Sequence, residues 1–116
     1  MPTAYTVRAT FADLPLLNEY VAWLKNEHIG QVLESGARSA EVINMSDVGS
    51  AAHTACCVEI RYLFESPLAL KNYLEHHAPR LRQAGLTRFP PEQGIVFVRT
   101  VGEVVFAASR RADKST

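Results

Sequence analysis

Residues 54–74, TACCVEIRYLFESPLALKNYL, decide the fold. Cys56, Val58, Ile60, Tyr62 and Phe64 fall on one side of an extended chain, and Cys57, Glu59, Arg61 and Leu63 on the other. Successive side chains of a strand point to opposite faces, so this period of two predicts a strand from Thr54 to Glu65. Ser66 then offers an N-capping oxygen, and Pro67 suits a first helical position because its missing N–H is not needed there. Leu70, Leu74, His77 and Leu81 recur at helical spacing. The period changes from two to 3.6 within a few residues, which makes this stretch a strand–helix unit.

The flanking segments are read against that unit. Pro79 cannot donate a backbone hydrogen bond and should bend or end the helix. Phe89-Pro90-Pro91 closes it, and Ile95 to Phe106 reads as a last strand with Gly102 marking a bulge. Upstream, Ala4 to Phe11 alternates, with Tyr5, Val7, Ala9 and Phe11 on one face. Asp13 is placed to cap a first helix, with Pro15 in its first turn. Leu14, Leu17, Val21, Leu24 and His28 form its apolar stripe, and the helix is expected to end near Gly30. Gln31 to Gly36 adds one further turn and a stop. Arg38 to Met45 reads as a second strand, and Ser46 to His53 as a polar loop.

The order is therefore β-α-β-β-α-β, an α+β ferredoxin-like plan. In that plan strands one and three are central, strands two and four lie at the edges of an antiparallel sheet, and both helices cover one face. At 116 residues the chain holds one domain, expected over 1–108, with a polar, disordered tail at 109–116. The other face of the sheet has apolar residues in either strand phase, so it needs a cover. A homodimer closed open face to open face, a dimeric α/β barrel, supplies one.

Twelve Lys+Arg balance twelve Asp+Glu, so the net charge is zero. Nucleic-acid binding normally leaves a basic excess, and none is present. No apolar run approaches membrane-spanning length and no leader pattern opens the chain. The two cysteines, Cys56 and Cys57, are adjacent and point to opposite faces. That argues against a disulfide and for the cytoplasm. The spacing of Cys57, His53 and the scattered histidines fits no zinc site, and no motif for a cofactor is present, so neither metal nor cofactor is expected.

Several local patterns resemble one known family. These are Trp23-Leu24 with His28-Ile29, Val32-Leu33 with Ser35-Gly36, and above all the run YLEHHAPRLR from Tyr73 to Arg82. Arg88-Phe89 and Arg99-Thr100 with Glu103-Val104 extend the likeness over Tyr5 to Phe106. Together they resemble the bacterial domain-of-unknown-function family 4286. The resemblance implies a ferredoxin-like subunit of dimeric α/β-barrel type with no established activity. Gly30 stands where the family usually has proline, and the loop Asp47 to His53 differs, so the rim of a pocket could be altered.

Three groups of residues can carry chemistry. His77 lies in register with Leu70, Leu74 and Leu81, and His28 ends the apolar stripe of the first helix. Each is either a satisfied imidazole or a proton acceptor beside a pocket. His76 should face solvent. Arg80, Arg82 and Arg88 follow the proline break and can hold a small anion in a planar fork, or simply finish a helix beside Glu75 or Glu92. Arg8, Glu59, Arg61, Arg99 and Glu103 occupy the alternate phase of strands one, three and four. They form either a ladder of salt bridges or the lining of a polar cavity. Tyr20 and Trp23 read as packing or interface residues rather than a stacking platform.

Two functions remain open. One is an uncharacterised dimeric domain binding a small acidic ligand. The other is a cofactor-independent small-molecule enzyme, monooxygenase- or isomerase-like, with His28 or His77 as base and an arginine as anion holder. The enzyme requires a pocket lined by a histidine with an arginine in reach of the same ligand. A purely structural barrel would be filled, with those imidazoles bonded to backbone carbonyls.

Overall fold

A computed structural model describes residues 1–45 and 56–110. The polar loop Ser46–His53 and residues 111–116 of the expected tail lie outside the described residues.

The elements follow the expected order. They are β1 (Thr3–Thr10), α1 (Leu14–Trp23), a π-helical turn (Leu24–His28), α2 (Ile29–Glu34), β2 (Ser39–Asn44), β3 (Cys57–Phe64), α3 (Pro67–His76), α4 (Ala78–Arg88) and β4 (Val96–Glu103). The four strands form one antiparallel sheet in the order β2-β3-β1-β4. The sheet of one chain stays open and is not closed into a barrel.

Both caps behave as their chemistry dictates. The Asp13 carboxylate accepts from the Leu16 N–H at 2.9 Å, and the Ser66 hydroxyl accepts from the Ala69 N–H at 3.1 Å. The α3–α4 break falls at His77, where φ is −124°, with Pro79 in the first turn of α4. The core lies between the sheet and the helices. Val7, Ala9, Ile60 and Phe64 from the strands meet Leu17, Leu24, Val32, Leu70 and Leu81 from the helices, all buried. Each such side chain contributes about 1.5–3 kcal/mol by leaving water.

Four expectations need correction. The first helical segment does not end near Gly30 but runs to Glu34, and the chain turns at Gly36 with φ +127°. The π turn at Leu24–His28 inserts an extra residue, so 3.6 spacing fails beyond it, while Leu17 and Leu24 of the stripe are buried. Leu14, at its start, is 54% exposed. Gly102 makes no bulge, because β4 pairs with β1 in unbroken register from Val96 to Glu103.

The third correction concerns the charged ladder. Arg8, Glu59 and Arg61 do lie together on the open face. Glu59 bonds Arg8 through one oxygen (Nε at 3.0 Å) and Arg61 through the other (Nη2 at 2.9 Å). Arg99 lies opposite Val7 and Glu103 opposite Thr3, so both stand on the helix-covered face. The phase of β4 was ambiguous because both of its faces carry apolar residues. The fourth correction is to the open face as an apolar one. It carries the exposed Val96 and Val98, but the Arg8–Glu59–Arg61 fork runs through its centre.

Candidate functional site

A cleft of about 210 Å³ opens between α4, the end of α1 and the edge strand β4. Its aromatic walls are Tyr20, Trp23, Phe89 and Phe97, and its polar groups include His28, Arg82 and Arg99. A smaller chamber of about 40 Å³ adjoins it over β1 and β3, lined by Tyr5, Tyr62, Tyr73 and the same His28, Arg82 and Arg99. Those three residues are common to both spaces and so stand where one passes into the other.

Each arrives by a different local rule. In an α-helix, residues five apart diverge by roughly 140°. The π turn brings Trp23 and His28 onto one side, with ring centroids 4.5 Å apart and planes 20° from parallel. Arg82 lies on α4 and donates to the Tyr5 hydroxyl at 3.1 Å, spanning the gap between helix and sheet. Arg99 enters from β4 on the phase shared with Phe97, its guanidinium 5.4 Å from that ring's centre. Gly85 leaves no side chain between α4 and the Trp23 indole. A Cβ there would stand 3.3 Å from the indole edge.

The electrostatics are one-sided. Neither Arg82 nor Arg99 has a carboxylate partner among the described residues. Burial, and secondarily the Arg99 charge, push the His28 pKa down to about 4, so the imidazole is neutral at pH 7. Its Nδ1 is buried and has no hydrogen-bond partner among the described residues. Which ring nitrogen bears the proton is set by whatever it meets, so a neutral His28 is free to accept there. Burial also raises the phenols of Tyr20 and Tyr62, and raises Tyr73 to about 12, keeping all three protonated donors. The arrangement can hold an anion between two guanidiniums, donate to it, and take a proton beside it.

The candidates of the sequence separate accordingly. His28, Arg82 and Arg99 come together. His77 does not line either space, its ring stacking on the outer side of Tyr73 at 6.5 Å. Arg80 and Arg88, exposed as Arg82 and Arg99 also are, line neither space, and Arg88 lies over the Phe89 ring at 5.5 Å. Arg61 belongs to the open-face fork. Tyr20 and Trp23, read as packing residues, form the cleft wall, and Tyr5, Tyr62 and Tyr73 were not singled out at all. Tyr5 and Tyr62 share the core phase of their strands and Tyr73 lies on α3, but a buried tyrosine beside a cavity has the same pattern as one in a filled core. Among the described residues no three metal-ligating side chains cluster, and no helix is long and apolar enough to cross a membrane.

The fold is similar to that of a dimeric ferredoxin-like protein from an uncultured marine organism. The TM-score is 0.69 and the identity 9%, over 92% of this chain and 98% of that one. An ethyl tert-butyl ether d (EthD) family protein of Bacillus halodurans matches at TM-score 0.65 and 12% identity, covering 89% and 98% of the two chains. A monooxygenase of Streptomyces coelicolor, in complex with nanaomycin D, matches at TM-score 0.60 and 15% identity, covering 92% of each chain. These identities show likeness of fold alone. No curated protein matches the sequence. Residues 5–105 match one family throughout, and the chain belongs to it: the domain of unknown function DUF4286.

Proposed function

We propose that this protein binds a small organic acid in the cleft shared by His28, Arg82 and Arg99. The observation that carries this reading is the pair of guanidiniums facing one cavity with no carboxylate among the described residues to neutralise them. An anion that enters meets two forked, charge-assisted donors, which solvent screens in part because both arginines are exposed. A thermal-shift screen of small carboxylates and phosphates on wild type and Arg82→Ala tests it. The wild type should gain stability with an acid and the variant should gain less. Equal shifts in both proteins would remove Arg82 from the account.

One observation favours a second reading, a cofactor-independent enzyme with His28 as base. The unpartnered, neutral Nδ1 beside the two arginines is an open proton acceptor. In the empty cleft it is a weak base. A bound anion would raise its pKa by favouring the imidazolium, so the base would gain strength only with substrate in place. Deuterium exchange at an acidic C–H of a bound acid, lost in His28→Phe, would support this role.

The protein acts as a homodimer through the open face, in this reading. Glu59 is paired on both oxygens, so a second copy that covers Val96 and Val98 strands no carboxylate, and the one net positive charge of the fork stays at the half-exposed Arg8 and Arg61. The dimeric marine protein of the same fold is in keeping with this. Sedimentation at micromolar concentration should show a dimer, and a monomer there would refute it. Free Cys56 and Cys57 fit a reducing, cytoplasmic setting.

A further inference from the structure

Resting on the acid-binding reading of the cleft, we infer that the ligand is a planar aromatic carboxylate of about one or two rings, its ring against Trp23 and its acid group turned into the smaller chamber. Size bounds the ligand first. The larger cleft measures about 210 Å³. A cavity of about 150 Å³ already accommodates benzene, so this one takes a substituted ring or a fused pair and little more.

The walls decide the shape. Tyr20 meets Phe89 edge-on at 5.2 Å, Trp23 meets Phe89 at 5.6 Å, and Tyr20 meets Phe97 at 6.0 Å. A further ring laid against this aromatic wall can stack on one member and meet another edge-on, both favourable with respect to the ring quadrupoles. His28 stacks on one face of the Trp23 indole at 4.5 Å, so a ligand ring would use the other face. Gly85 lets α4 approach the indole edge closely without a side chain filling the cleft between them.

The head group follows from the smaller chamber. About 40 Å³ has room for a carboxylate or a single water, and a water occupies roughly 30 Å³. Arg82 and Arg99 flank it, and a planar carboxylate matches the guanidinium fork. A tetrahedral phosphate dianion would be bulkier and would lose more hydration on entering a site lined by three tyrosines and Val7. The open Nδ1 of His28 at the same junction can accept from a hydroxyl or a retained water next to the acid.

Calorimetric titration of the full chain with benzoate, 2-naphthoate, cyclohexanecarboxylate, benzamide and inorganic phosphate tests this. Benzoate or 2-naphthoate should bind at least about tenfold tighter than the saturated acid and the neutral amide. Arg99→Gln should lose about tenfold or more of that affinity, as expected for one charge-assisted contact. A melting curve on the variant shows that it remains folded, and Arg82→Gln provides a second, independent removal of the head-group contact. Equal binding of cyclohexanecarboxylate and benzoate would overturn the aromatic inference while leaving an acid-binding cleft. Binding of phosphate alone would overturn the carboxylate assignment. No binding of any acid would overturn both.

Discussion

Acid should destabilise this protein through one residue, His28. The imidazole is buried neutral, with its pKa lowered from 6.5 to about 4 by desolvation first and the Arg99 charge second. Between those two values the unfolded chain binds a proton that the folded chain refuses. Stability therefore rises with pH across this window: the contribution is fully present above about pH 6.5 and is lost as pH falls toward 4. The loss attributable to His28 is about 2 kcal/mol by pH 5 and about 3 kcal/mol once both states are protonated. In a domain this small, 2 kcal/mol corresponds to roughly 8 °C of melting temperature. His28→Phe can keep the stack on Trp23 and cannot titrate, so the difference in stability between wild type and variant should change by that amount from pH 7 to pH 5. Other groups, such as the Glu59 carboxyl held low by Arg8 and Arg61, cancel in the difference. The assay has a built-in reporter. Trp23 is the only tryptophan, stacked on His28, and an imidazolium quenches indole emission efficiently. Native emission should fall with a midpoint near pH 4. A midpoint near 6.5, with wild type and variant showing parallel pH dependence, would refute the buried neutral imidazole and the cleft electrostatics built on it.

Three further outcomes follow from single contacts. Gly85→Ala places a Cβ 3.3 Å from the Trp23 indole, so it should tilt the ring into the cleft and weaken 2-naphthoate more than benzoate in calorimetry. Its gain in helix propensity, up to about 1 kcal/mol, should offset the crowding and leave stability nearly unchanged. Glu59→Gln leaves Arg8 and Arg61 facing each other with no anion between them, and the dimer should dissociate at least about tenfold more readily in sedimentation. Ser66→Ala removes the α3 cap and should cost about 1 kcal/mol in denaturant unfolding, with ligand affinity unaltered.

Where one face of an element is apolar and the other is not, its place was legible. The alternation from Cys56 to Phe64 gave β3 its buried side, and the Asp13 and Ser66 caps set both helix starts. The β-α-β-β-α-β order then placed β1 and β3 at the centre. What stayed hidden depended on offsets that periodicity does not encode. Arg99 was assigned to the wrong face because Val96 and Val98 are as apolar as Phe97 and Val101, so the phase of an edge strand is undetermined by its own sequence. Trp23 and His28, five apart, belong together only because of a π turn, and a scan at 3.6 spacing sends them to different sides. Arg82 was legible as an anion candidate but not separable from Arg80 and Arg88. A helix sends residues two apart, or six apart, to different faces, and only the position of β1, with Tyr5 as acceptor, selects one of them.

The central claim is that Arg82 and Arg99 hold one acid head between them. The direct test is a double-mutant cycle in calorimetry with benzoate, using wild type, Arg82→Ala, Arg99→Ala and the double variant. The account predicts that each single change weakens binding by about tenfold or more, and that the double change loses less than the two losses combined, because both arginines serve the same carboxylate. Wild-type affinity in both single variants, or no heat of binding in the wild type itself, would contradict it.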